Sequence, residues 1–532
     1  MSLEIRNWGD WPEDNAYDYW VVMGDDEACP LPEKKRLNTA LALEAAFDAT
    51  SSEWFGLGRE LGSEKNGNLA HAPSCTANAS ALGVMLAWSK LAKDWVIEAP
   101  RVLAICPDPW LFRHLQTLSG IKSGKPPAIF AAEFKLKIRG WAARTVASLR
   151  FFQSYFKLRS QKAPSPGESY LLVYGHPKSD AQGNDAYFGD LMQKFPDLKR
   201  VLHVDCKVLR ALELAQDGRT ISLHGFGNPL EALLLPFACW RPVIRGQYAW
   251  LIRREAAIEG GTAQAAAIRW QHICVDGFLK ASKPWQVAWP WEYHAWEREF
   301  VRQARKSGVR THGYQHSVLG RHMLNCAHLS NPDGLASIPD KVICNGPSTR
   351  QQLLQWGMPE DLLPIGGAIR FPDVTPVSYA PTGLIFGALP FGSKTSVEMV
   401  AVIKKIAQQG KFSFVVKDHP MTPTPYEDSE GIKRIKEPLE KQENLAAVLY
   451  AATTVGLEAA LMGLPVIRFV PRTFIALDIL PRGIEVMVAD GQSLAARLEE
   501  LNLPSKIARD FVFGAIDLSL WQECLQCNLK TN

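Results

Sequence analysis

The sequence predicts an α/β protein of two Rossmann-like domains facing a cleft, with a basic helical segment inserted in its N-terminal half. Three observations carry this. Short apolar runs ending in Gly, Pro, His or Asp recur along the chain and lead into helical patterns. Continuous apolar strands alternating with helices make parallel sheets covered on both faces, and there are too many here for one ordinary sheet. Finally, Phe371–Pro381 (FPDVTPVSYAP) holds three prolines in eleven residues and no helical period, which marks a break. Domains are therefore expected at 1–372 and 373–515, followed by a helical tail at 516–532.

In chain order the strand candidates are Tyr19–Gly24, Val102–Pro107, Tyr170–Gly175, Val201–Asp205, Val287–Pro290, Thr311–His316 and Val342–Gly346 in the first domain. Gly383–Gly387, Phe412–Lys417 and Val466–Val470 follow in the second. Ligands of such sheets bind at the carboxyl ends of strands, so the residues just after each run matter most.

The 532 residues carry 59 Lys and Arg against 55 Asp and Glu, a formal charge of +4. That balance excludes a polycationic tail protein and gives no reason to expect nucleic acid as a partner. The charge is uneven, however. Lys122 to Lys162 contains ten basic residues and one acid, Glu133, which is +9 and leaves the remainder at about −5. Aromatics, among them Phe130, Phe134, Trp141, Phe151 and Phe156, alternate there with bases such as Lys135, Arg139 and Arg150. Such a helix suits an anionic membrane surface through residues 130–159; a helical pair packed on the first domain is the plainer alternative.

The ten cysteines are scattered, and Cys524-Leu-Gln-Cys527 fits a plain C-terminal helix better than half a zinc site. The acidic start, MSLEIRNWGDWPEDN, lacks the features of a signal peptide, and no apolar run approaches the ~20 residues of a membrane span. A cytoplasmic location, peripheral on the inner membrane at most, is the expectation.

In the second domain, the strand Phe412–Lys417 ends in Lys417-Asp418-His419-Pro420. The proline biases His419 toward an extended conformation, and a Lys and a His at a strand's carboxyl end suit an anion. Thr453-Thr454 then opens the short helix Val455–Met462, with Thr454 as the expected N-cap and Gly463 as its close. That N-terminus favours a phosphate, and Glu458, one turn in, is placed for a ribose hydroxyl. The loop Gly387-Ala-Leu-Pro-Phe-Gly392-Ser393-Lys394 looks like a Walker loop but carries one extra residue, so it is a cleft-lining loop rather than an NTPase site.

These motifs, Lys417-x-His419-Pro420, Thr453-Thr454, Glu458-Ala and Gly463-x-Pro465-Val, resemble the nucleotide half of bacterial GT-B glycosyltransferases that use CMP-activated sugars. The resemblance implies that His419, Thr453 and Thr454 bind phosphate with Lys417 in support. An acidic residue between the motifs, Glu437 or Glu440, would meet the ribose.

In the first domain, Trp291-Glu292 and Trp296-Glu297 are five residues apart, about 140° on one helix, so they cannot share a face. Glu292 is expected at a strand tip facing the cleft and Glu297 in the following helix. The next strand ends in Gln315-His316-Ser317. His312 and His316 are about 13 Å apart along it, too far for one metal ion, and no metal site is expected. With Cys344-Asn345-Gly346, this pattern resembles surface-polysaccharide biosynthesis proteins regarded as glycosyltransferases. Glycosyl transfer needs a base or a carboxylate nucleophile; Glu292 is the candidate carboxylate and His316 a candidate to stabilise the leaving phosphate or orient the acceptor, with Gln315, Glu297 and Asn345 as acceptor or cleft residues. The paired-acid-Gly base motif of sialyltransferases is absent. Gly24-Asp25-Asp26-Glu27 is the nearest acidic cluster, and Asp180, Asp185 and Asp190 are alternative nucleophiles.

The combined expectation is a cofactor-free, metal-independent enzyme. It would pass an acidic sugar, Kdo or another nonulosonic acid, from a CMP donor to a surface glycan acceptor; such acceptors are often lipid-linked. The alternatives are a CDP-glycerol-type or UDP-sugar transferase and a non-catalytic assembly partner.

Overall fold

The computed structural model describes residues 3–13, 16–24, 29–97, 100–161, 165–371, 377–504 and 507–525. Its strands form three sheets that are parallel throughout. Leu3–Arg6 (β1), Tyr19–Val22 (β2), Val102–Ile105 (β3) and Ile121–Ser123 (β4) make a small sheet in the order β2-β3-β1-β4. Ser169–Val173 (β5), Lys199–Leu202 (β6), Thr220–Ser222 (β7), Gln286–Pro290 (β8), Arg310–Gln315 (β9) and Lys341–Cys344 (β10) make the second, β10-β9-β8-β5-β6-β7. Tyr379–Ala388 (β11), Phe414–Lys417 (β12), Ile432–Ile435 (β13), Leu445–Tyr450 (β14), Val466–Phe469 (β15) and Met487–Ala489 (β16) make the third, β13-β12-β11-β14-β15-β16.

Numbered within itself, each six-stranded sheet runs 3-2-1-4-5-6, the doubly wound order. The two Rossmann-like domains are thus present. All ten anticipated runs are strands. The central β14 (LAAVLY) was not anticipated: Leu and Ala favour helix, and burial on both faces between β11 and β15 overrides that preference.

Two expectations on organisation are corrected. Residues 1–372 hold two sheets, not one, because β1–β4 pair only among themselves among the described residues. The basic segment is one 30-residue helix, Ile129–Leu158, about 45 Å long, that connects the first sheet to the second rather than forming a pair. Its inner face is built for close contact. A Cβ on Gly140 would come within 1.8 Å of the Gly260 carbonyl oxygen, and the buried Arg144 donates to the carbonyls of Pro236 (3.0 Å) and Gly260 (2.6 Å). Phe151 stacks on Trp270 at 5.8 Å. No helix among the described residues is long and apolar enough to cross a membrane.

The proline-rich break leaves 372–376 outside the described residues, as are Asp25, Asp26 and Glu27 of the acidic cluster and Cys527. The tail helix Leu518–Leu525 returns to the second sheet. There Trp521 donates to the Gly366 carbonyl (2.8 Å) and packs edge-on against Tyr314, while Cys524 is buried.

Candidate functional site

In each doubly wound sheet the strand order reverses once, between β5 and β8 and between β11 and β14, and the carboxyl ends at such a reversal are where sheets of this kind bind ligands. Glu292, after β8, and Thr453 and Thr454, after β14, fall on these reversals, while His316, after β9, and Lys417 and His419, at and after the end of β12, stand one strand away.

On the first edge, β8 runs into Trp291-Glu292-Tyr293-His294 before the helix Ala295–Lys306. Tyr293 has φ of +62°, a left-handed conformation that is costly for a bulky residue. The fully buried Glu297 holds the turn: it accepts from Trp289 Nε1 (2.8 Å) and from the backbone N–H groups of Glu292 (3.0 Å) and His294 (3.1 Å). Asn325 donates to the Glu292 carbonyl at 2.7 Å. The Glu292 side chain, 43% exposed, is left facing the cleft, 3.0 Å from His294 Nε2 and 3.7 Å from His316 Nε2.

Burial pushes the Glu292 carboxyl up, but the hydrogen bond and charge of His294, with His316 and Arg370 behind, outweigh it and bring the pKa down to about 2. Burial lowers His316 to about 4, so its imidazole is neutral at physiological pH. Tyr187 closes the wall, its ring 5.0 Å from that of His316 and 5.1 Å from the Arg370 guanidinium.

The other first-domain candidates prove to be framework. Glu297 is the buried turn support just described, not a cleft residue. Asn345 is fully buried, its amide donating to the Ser317 carbonyl (2.8 Å) and accepting from Thr349 Oγ1 (2.7 Å). Gln315 is also buried, its amide directed back at the Ser317 carbonyl at 3.4 Å. Asp180 organises its own loop by accepting from the N–H groups of Gln182 (3.0 Å) and Asn184 (2.9 Å). Asp185 is buried and accepts from the Tyr187 N–H (2.9 Å) and Ser179 hydroxyl (3.1 Å). These contacts give Asp180 no part in the Glu292 cluster. His312 bonds Gln286 at 3.2 Å within the sheet.

On the second edge, β12 delivers Lys417 and His419, both half-buried, while Pro420 is exposed. His419 is fixed by the Met421 N–H donating to Nδ1 (3.3 Å) and by the Phe391 ring at 5.3 Å; burial and the Lys417 charge lower its pKa. Asp418 is structural, accepting from the Thr424 N–H at 3.0 Å.

After β14, Ala452 has φ of +44°, a second left-handed non-glycine residue at a strand end, just before Thr453 and Thr454. Thr454 does not cap the helix Val455–Met462 with its side chain; its hydroxyl donates to Glu458 Oε1 at 3.1 Å. A threonine hydroxyl spent one turn ahead leaves the first N–H groups of the helix for another acceptor. Burial and the Glu440 charge raise the Glu458 pKa against the pull of Thr454, Lys417 and Lys178. Of the two ribose candidates, Glu440 is the one whose charge acts on Glu458, whereas Glu437 is solvent-exposed and accepts from the Lys436 N–H at 3.2 Å.

Gly387 is a packing glycine: a Cβ would meet Val416 at 3.3 Å. Gly392 is exposed at the start of the helix Ser393–Ala407, with open space around it at the cleft.

The structure also brings together residues that sequence reasoning did not select. His294 lies between Glu292 and Cys75, its Nδ1 3.3 Å from the Cys75 sulfur, and His71 Nδ1 is 3.7 Å from the same sulfur. The local signal was His71-x-x-x-Cys75; its partner lies 219 residues away, which no local pattern carries.

No family model matches the chain, and no curated protein matches it. Solved structures show a distant likeness. UDP-N-acetylglucosamine 2-epimerase from Rickettsia bellii is 13% identical, with 56% of this chain and 78% of that one covered and a TM-score of 0.33. Methanocaldococcus jannaschii UDP-GlcNAc 2-epimerase in complex with UDP-GlcNAc and UDP gives 13%, 64%, 96% and 0.37. Acinetobacter baumannii MurG gives 11%, 63%, 89% and 0.31. At these scores no activity passes to this chain, whose two Rossmann-like domains rest on its own strand order.

Proposed function

We propose that this chain is a glycosyltransferase that moves an acidic sugar, Kdo or another nonulosonic acid, from a CMP donor to a surface-glycan acceptor. The observation that carries the reading is the pairing of two strand-order reversals. Thr453 and Thr454 stand on one, with Lys417 and His419 on the neighbouring strand end, and a partly exposed carboxylate, Glu292, stands on the other, a set suited to an anionic donor.

The chemistry follows from the groups. The CMP phosphate sits at the N–H groups opening Val455–Met462, with Lys417 and His419 beside it, and Glu458 meets the ribose. As the acceptor oxygen bonds the anomeric carbon, the bond from that carbon to the CMP phosphate breaks, CMP leaves with the bonding pair, the acceptor's proton passes to the departing phosphate or to water, and positive charge develops at the anomeric carbon. Glu292, ionised throughout the physiological range, offsets that charge and accepts a hydrogen bond from the acceptor hydroxyl. A carboxylate this acidic is a weak base, so its part is chiefly electrostatic. His316, neutral beside it, orients the acceptor. The acceptor is lipid-linked in this reading, and the helix Ile129–Leu158 brings the enzyme to an anionic inner-leaflet surface.

The test is incubation of the full chain with CMP-Kdo, CMP-sialic acid and UDP-sugars together with cell-envelope glycan, following nucleotide release. Acceptor-dependent release of CMP, lost in H419A, is expected. Release of UDP alone overturns the donor assignment; release from no donor overturns the reading.

A further inference from the structure

Cys75, His71 and His294 make a constellation that the reading above does not use. Cys75 ends a single helical turn, its N–H donating to the His71 carbonyl at 2.7 Å, which puts residues 71 and 75 on the same side of the backbone. The turn is anchored from below by the buried Glu259, which accepts from the N–H groups of His71 (3.0 Å) and Ala72 (2.8 Å). From the opposite side, the strained Tyr293 turn presents His294.

One nitrogen of each imidazole, Nδ1 in both cases, faces the same sulfur, at 3.7 Å from His71 and 3.3 Å from His294. The three donor atoms all lie within 4.8 Å of one another. A tetrahedral zinc ion with Zn–S about 2.3 Å and Zn–N about 2.0–2.1 Å has N···S edges of about 3.6 Å. The observed pair of distances brackets that edge. The remaining nitrogen of His294, Nε2, is held by Glu292 at 3.0 Å, the carboxylate–histidine support usual behind a metal-bound imidazole, which fixes Nδ1 as the free donor.

We propose that His71, Cys75 and His294 bind one zinc-class divalent cation. A thiolate with two imidazoles selects zinc, or cobalt in its place, over the hard magnesium and manganese ions, which take oxygen donors. The site is thus distinct in chemistry from a cation that would neutralise a donor diphosphate. The proposal does not depend on the donor or on the reaction.

The test uses the full chain, stripped with a chelator and reloaded. Zinc measured after dialysis is expected at one ion per chain. Cobalt is expected to give a thiolate charge-transfer band and intense tetrahedral d–d bands, read on the unaltered protein. C75S abolishes the charge-transfer band and H71A/H294A abolishes stoichiometric binding, while H328A, outside the three-residue cluster, retains both. E292Q loosens zinc by about 10–100-fold in chelator competition. Zinc is also expected to protect Cys75 from alkylation.

A folded wild-type chain that holds no zinc after reloading overturns the proposal, as does a cobalt spectrum unchanged in C75S. Rapid Cys75 alkylation indifferent to zinc would instead mark a nucleophilic thiol activated by His294, and would overturn it too.

Discussion

Glu292 and Glu297 are five positions apart in near-identical Trp-Glu contexts, yet their surroundings give them different work. Glu297 is fully buried and supplies the acceptor for three donors, so removing its charge leaves buried N–H groups poorly matched. E297Q should lower stability by about 1–3 kcal/mol, read as a fall in Tm and in the denaturant midpoint. Glu292 has a partly exposed side chain bonded to His294, so E292Q gives up that charged contact but should lower Tm less than E297Q does. It should nevertheless reduce turnover by on the order of 100-fold under the proposed function. A Tm loss in E292Q as large as that in E297Q would mean that both are framework. The difference in position was legible in the sequence, because a five-residue offset cannot share a helix face, but the burial that takes Glu297 out of the cleft was not. The functions assigned to Asn345, Gln315 and Asp180 were not legible: a polar residue after a strand reads alike whether it lines a cleft or closes a loop, and only burial and partners decide.

Two helices carry the element-scale consequences. Val455–Met462 packs so closely that a Cβ on Gly456 would meet the Tyr450 ring at 2.5 Å. G456A must push the helix off β14 and is expected to cost about 1–3 kcal/mol and to weaken CMP binding, checked by thermal shift with and without CMP. The Ile129–Leu158 helix is different, because its outer face has no partner among the described residues. Phe130 (83%), Phe134 (66%), Ile138 (54%) and Trp141 (56%) stand exposed at helical spacing among Lys135, Lys137 and Arg139. Phe237 (74%) and Leu234 (63%) are also exposed, in the segment that packs against the same helix. F134S/W141S is expected to reduce binding to anionic vesicles by about tenfold or more without changing Tm, and salt should weaken the wild type in the same assay. Equal binding by variant and wild type would refute the membrane-facing role. The charge run announced this helix in the sequence, but its length and its place as a connector came only with the fold. A single apolar stripe and a helical pair have the same local period.

At the scale of the whole molecule, two features set stability. The first is a set of buried neutral histidines. His114, bonded to Ser89 Oγ at 2.7 Å, and His224, which accepts from Trp270 Nε1 at 2.9 Å, are both lowered by burial to about 4 from an ordinary 6.5. Above pH 6.5 both folded and unfolded states are neutral there and stability is full. As pH falls from 6.5 toward 4 the unfolded state takes the proton first, so each costs about 2 kcal/mol by pH 5. The chain should lose Tm steadily on acidification from pH 7, and H114Q should flatten that slope.

The second feature is a charged knot that joins all three sheets. Glu44, on the helix Ala40–Ala49 beside the small sheet, pairs with Arg468 of β15 at 2.6 Å and with Arg321 of the loop after β9; His322 next to it bonds Asp48 at 3.1 Å. Glu44 and Arg468 are both buried, so removing one partner strands the other charge in a medium that cannot solvate it. E44Q is therefore expected to cost about 3–5 kcal/mol, whereas an apolar pair, E44L/R468M, should recover much of that loss. The knot also carries geometry. The loop holding Arg321 follows His316, and the C-terminal domain meets it through Asp478, whose N–H donates to His322 Nδ1 at 2.8 Å. Loosening the knot should thus free the second Rossmann-like domain relative to the first, and E44Q should show faster proteolysis between the domains as well as a lower Tm. If E44L/R468M regains Tm but not protease resistance, the ion pair sets the spacing of the cleft; if it regains both, packing alone does so.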